Sequence, residues 1–129
     1  MRLLLDTHAL LWWLAGDERL PPTAADAIRE PGNEILVSAA SAWEISTKYR
    51  IGKLPTATRL ASDFDSVLRS QGFRGLPITI EHARLGGLLP GPHKDPFDRM
   101  LVAQAQVEQL VLVSNEDVFD LYGVVRLWE

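Results

Sequence analysis

Residues 2–13 read "RLLLDTHALLWW". Three consecutive leucines have the composition of a strand buried on both faces. They run straight into a carboxylate at Asp6, and a second apolar run begins two residues later. An acid at the end of a core strand has two readings. As a helix cap, the Asp6 side chain accepts the free N–H groups of the turn that the second run begins. As a site residue, it stands at the carboxyl end of a parallel strand, outside which open α/β sheets hold their ligands. The two are compatible, and the elements that follow decide whether other acids join it.

Apolar runs of strand length alternate with helical stretches along the whole chain. "HALLWWLAG" (8–16) predicts a helix closed by Gly16 at the position past its end, where a left-handed backbone favours glycine. "TAADAIRE" (23–30) and the turn "PGN" lead to the strand "EILVS" (34–38), and Ser38 then caps a helix through "AASAWEISTKYRI" (39–51). "RLASDFDSVLRSQG" (59–72) reads as one amphipathic helix, "GLPIT" (75–79) as a short strand and "EHARLGG" (81–87) as a short helix. The loop "LPGPHKDP" (89–96) opens the helix "FDRMLVAQAQVEQ" (97–109), and "LVLVS" (110–114), an acidic segment and "VVRLW" (124–128) complete the chain. This alternation predicts right-handed crossovers and a three-layer α/β/α fold around a central parallel sheet of four to five strands.

Composition narrows the function. The chain has 129 residues, 47% of them hydrophobic, enough for one substantial core, so residues 1–129 are expected to form a single domain. With no cysteine, disulfide frameworks and thiolate metal sites are excluded. Arg2 and Asp6 flank the first leucines, no apolar run approaches the roughly 18 residues of a membrane span, and a cytoplasmic protein is expected. A net charge of −4 supplies no global field for nucleic acid, so any such role rests on a local site.

Four acids from distant parts of the chain lie at apolar boundaries: Asp6, Glu44 within "AASAWEI", Asp98 on the helical face of Leu101, Val102 and Ala105, and Glu116 in "SNED" after the strand at 110–114. Brought together, they repel by about 1 kcal/mol or more per close pair, which calls for a cation, and oxygen donors without thiolates suit Mg²⁺ or Mn²⁺. Each acid also has a plain structural reading. Glu44 and Lys48 are spaced for an ion pair. Asp95 precedes Pro96 as a helix cap and places Asp98 in the first turn. Glu116 and Asp117 are ordinary turn residues. His8, His82 and His93 lack metal-ligand spacing and read as structural or surface residues, and Trp12 and Trp13 lie on adjacent helix faces, one in the core and one exposed.

The stretches "LLLDTHALLWWLAG" (3–16), "SAASAWEISTKYRIGKL" (38–54), "HKDPFDRMLVAQA" (93–105) and "LVLVSNEDVFDLYGV" (110–124) resemble the motif blocks of PIN-domain ribonucleases, in particular the VapC-type toxins of toxin–antitoxin pairs. The resemblance implies an Mg²⁺- or Mn²⁺-dependent endoribonuclease that acts on RNA, forms a homodimer and is held inactive by a cognate antitoxin protein. It places the family's acids on Asp6, Glu44, Asp98 and Glu116, with Asp6, Asp98 and Glu116 as metal donors and Glu44 binding the metal or orienting its water. Where such proteins commonly carry an aspartate, this chain has Glu116, and Asp117 beside it is the alternative donor; Asp95 is an additional acid. Arg50, Lys53, Lys94 and Arg99 are the cations placed to meet the RNA backbone. Two other classes compete. A phosphoacceptor receiver domain wants paired acids after its first strand and a late lysine, neither of which is present, and a non-catalytic interaction module on the same fold is separated by an RNA cleavage assay.

Overall fold

The computed structural model describes residues 1–129. Five strands form one parallel sheet: β1 (Arg2–Leu5), β2 (Glu34–Ser38), β3 (Arg74–Leu76), β4 (Val111–Val113) and β5 (Arg126–Leu127), in the order β3-β2-β1-β4-β5. The chain steps outward from β1 through β2 to β3, then returns past β1 to β4 and β5. The strand order therefore reverses at β1, whose carboxyl end borders the crevice where such sheets place their sites.

The helices are α1 (Thr7–Ala15), α2 (Pro22–Arg29), α3 (Ala39–Arg50), α4 (Thr58–Ser62), α5 (Phe64–Gln71), α6 (Ile80–Leu88) and α7 (Pro96–Glu108), with a short 3-10 helix at Asp117–Tyr122. They cover both faces of the sheet. Alternation along the strands divides the core in two: Leu3, Leu5, Ile35 and Val37 pack with α1, α2, α3 and α5, whereas Leu4, Leu36 and Leu112, aligned across three strands, pack with Leu101, Val102 and Phe119. Leu3, Leu4 and Leu5 are all fully buried, as a doubly covered central strand requires.

Three local expectations are corrected. The stretch 59–72 is two helices, because Asp63 adopts φ −155° and ψ 80° and its carboxylate accepts the Ser66 N–H at 3.1 Å, restarting the helix as α5. The third strand ends at Leu76, before Pro77, which has no N–H to donate. Neither Trp12 nor Trp13 is fully buried or fully exposed. Trp12 lies between His8 and Trp128 with Arg19 over its ring, and Trp13 meets Phe73 and Arg29 and donates its indole N–H to Gln71.

Candidate metal centre

Asp6 is held where β1 and β4 end. Its N–H donates to the Val113 carbonyl at 3.0 Å, extending the ladder by one residue, and its carboxylate accepts the Ala9 N–H at 2.8 Å as the cap of α1. Helix cap and strand end thus coincide in one residue. Burial raises its pKa, hydrogen bonds from Ser114 and Ala9 oppose the rise, and the charge of Glu116 adds to it.

Asp98 reaches the same crevice from α7. Asp95 caps that helix, accepting the Phe97 and Asp98 N–H groups at 2.9 and 3.2 Å, so Asp98 sits in the first turn with its side chain toward the carboxyl ends of the strands. Its carboxyl is pushed up to about 7, first by burial and then by the charges of Asp95 and Glu116, against the pull of His93. Glu116 follows β4; its N–H donates to the Ser114 hydroxyl at 3.0 Å, which fixes the turn that carries it. Asp98, Glu116 and His93 each offer a donor atom within 4.8 Å of the others.

His93, read from sequence as structural or surface, is the residue that reading missed as a member of this cluster. Its Nε2 lies 2.8 Å from Asp98, its N–H donates to the Tyr122 hydroxyl, and its ring meets Phe119 edge-on. The signal was its place five residues before Asp98, across a loop whose conformation no periodicity describes. His82, by contrast, is structural: Nδ1 accepts the Thr79 N–H and Nε2 pairs with Glu108.

Glu44 stands beside the cluster and is already paired. Thr7 donates its hydroxyl to Oε1 at 2.6 Å and Lys48 binds Oε2 at 2.8 Å, the ion pair that the i, i+4 spacing predicts. Through Thr7 it is tied to the residue after Asp6. Asp117 faces a separate depression with Asn115, Arg126 and Trp128, so Glu116 is the acid that converges. Arg50, Lys53 and Lys94 are exposed. Arg99 turns inward: its guanidinium donates to the carbonyls of Gly86, Leu89 and His93, so the structure gives it a loop-holding place rather than one on the surface.

A small parallel α/β protein with an acidic crevice at its topological switch point is the class that fold and site define. The PIN domain model matches residues 3–124, and the chain belongs to that family. It is 30% identical over 114 residues to Ribonuclease VapC22 of Mycobacterium tuberculosis, covering 88% of this chain and 85% of that protein. It is 43% identical over 72 residues to Ribonuclease VapC16 of the same organism, a match that spans half of each chain. The fold superposes on VapBC2 from Rickettsia felis, solved bound to a DNA fragment from its promoter, with a TM-score of 0.69 over the full length of both chains at 17% identity. The VapC-type resemblance read from the motifs is borne out, and the receiver-domain alternative falls.

Proposed function

We propose that this chain is a divalent-metal-dependent endoribonuclease and the toxin of a toxin–antitoxin pair. The observation that carries the reading is the convergence of Asp98, Glu116 and His93 within 4.8 Å, beside a buried Asp6 that feels the charge of Glu116. Asp6 and Asp98, pushed upward by burial and then by the charge of Glu116, are acids that a cation would stabilise, and an oxygen-dominated donor set without thiolate fits Mg²⁺ or Mn²⁺. Asp6, Asp98 and Glu116 would hold it. Such an ion, when bound, polarises a phosphate and lowers the pKa of its water, so that no protein nucleophile is needed.

The chain's own groups orient and exclude. His93 fixes the Asp98 carboxylate through Nε2, and Asp95 fixes the helix start beneath it. Glu44, clamped by Thr7 and Lys48, has a set orientation and is assigned to binding the metal or ordering the attacking water. Arg50, Lys53 and Lys94 are assigned to the RNA backbone, and Arg99 to holding the loop. For the antitoxin, a cleft of about 570 Å³ runs along α1, lined by Leu11, Trp12, Leu54 and Leu60, which suits an apolar segment; Arg19 at the cleft is already paired with Asp17, which leaves Arg59 to meet an acidic flank. The similar Rickettsia felis protein was solved as the VapBC2 pair, which supports a partner protein here. The homodimer implied by the family belongs to the same proposal.

Asp6→Asn and Asp98→Asn should each abolish metal-dependent RNA cleavage while retaining the parent's circular dichroism spectrum, and EDTA should do the same to the parent. Full cleavage by a folded Asp98→Asn protein overturns the assignment.

A further inference from the structure

Trp43 is the one exposed tryptophan among the four, with 65% of its surface open. A single exposed indole is ordinary. Its position is not. Trp43 immediately precedes Glu44 on α3, and its ring meets that of Phe97, which immediately precedes Asp98 on α7, with centroids 5.2 Å apart and planes at 78°. An edge contact of this kind leaves at least one indole face uncovered by the phenyl ring. If the Phe97 edge meets an indole face, the opposite face is free, and if the indole edge meets the Phe97 face, both are.

The same side of α3 continues to Ser46 and Arg50, three and seven residues on and both exposed, which places Arg50 about 10 Å further along the helix. Arg50 enters no ion pair, and neither do Lys53 beyond it or Lys94 three residues before Phe97. An open aromatic face followed by an unpaired cation, next to the His93, Asp98 and Glu116 cluster, is the layout that holds a single strand, with a base on the ring and a phosphate on the cation. A second copy of the chain would bring the same cations onto this surface, and a polyanion would neutralise them.

We infer that Trp43 stacks on an unpaired nucleobase of the RNA beside the cleaved phosphodiester, and thereby selects substrate that is single-stranded or looped at that point. This rests on the ribonuclease reading and adds a residue that holds the RNA beside the cluster.

The test uses a short oligoadenylate and a duplex RNA of the same length, bound to the full chain in an Asp98→Asn background to prevent cleavage. Trp43→Leu should weaken oligoadenylate binding by about tenfold, Trp43→Phe should restore most of it, and duplex affinity should be equal in all three proteins. With Asp98 intact, the Leu change should raise KM by a similar factor and leave kcat within about twofold, the signature of a contact equal in ground and transition states. Unchanged oligoadenylate affinity in Trp43→Leu overturns the inference. So does a loss of affinity that accompanies a halved light-scattering mass, which would make Trp43 a contact between copies. Absence of cleavage by the metal-supplied parent would overturn the ribonuclease reading instead, and the binding comparison would still judge Trp43.

Discussion

Asp98 couples stability to pH, because its proton is held more tightly in the folded chain than in the unfolded one. Between the ordinary value of 3.8 and about 7, the folded protein keeps a proton that the unfolded chain has lost, so stability falls as pH rises through that window and the full penalty stands above it. Asp6 is shifted the same way. Asp17 and Asp120 are shifted downward by Arg19 and Arg126 and act in the opposite sense, but only at pH values below the ordinary carboxylate range. Melts in EDTA between about pH 5 and 7 span the window of the upward-shifted acids, and comparison with Asp98→Asn separates the Asp98 contribution from that of the histidines. The parent should lose on the order of 1 kcal/mol across the interval, and Asp98→Asn should show a shallower slope. Parallel slopes would mean that Asp98 titrates normally.

The loop before α7 is held by side chains that no helical or strand period describes. Arg99 spans it with bonds to the carbonyls of Gly86, Leu89 and His93, and the Tyr122 hydroxyl accepts the His93 N–H from the other side. Gly91 adopts φ +109°, and a Cβ there would lie 2.8 Å from that hydroxyl, so both its conformation and its closeness to Tyr122 require glycine. Removing the guanidinium strands three carbonyls. Arg99→Ala should therefore destabilise the protein by about 2–4 kcal/mol in urea melts and weaken Mn²⁺ binding, because His93 and Asp98 lose their frame. Tyr122→Phe should act in the same direction by about 1 kcal/mol. Elements with a period were legible in the sequence: β1, β2, α1, α3 and α7 lie where apolar spacing and the caps Asp6, Ser38 and Asp95 predict. What escaped depended on competition between local bonds, as at Asp63, where a side chain offers the backbone a new cap inside a run with helical pattern, and on loop geometry, as at His93.

Across the molecule, the sheet brings together acids that are more than a hundred residues apart, and their mutual repulsion is a property of the folded state alone. In EDTA at neutral pH, Asp98→Asn should be as stable as the parent or more so, by on the order of 1 kcal/mol. With excess Mn²⁺ the order should reverse, since a parent that binds the ion gains about 2.7 kcal/mol at one hundred times its dissociation constant and the variant gains less. Thermal melts in the two conditions measure this, and equal responses to Mn²⁺ would displace the metal from Asp98. The four acids stood out in the sequence because each lies at an apolar boundary, although the pairing of Glu44 with Thr7 as well as Lys48 did not. The place of β1 at the centre of the sheet also has a consequence in time. Its neighbour β2 follows within the first third of the chain, whereas β4 on its other side, with Asp98 and Glu116 around it, is made near the end. During synthesis at about 5–20 residues per second, the growing polypeptide can pair β1 with β2 and bury part of a core, but it carries only half of its acids. A nascent fragment that stops short of α7 and β4 lacks Asp98 and Glu116, so the cluster cannot assemble until both have been added and the second half of the sheet has closed on β1.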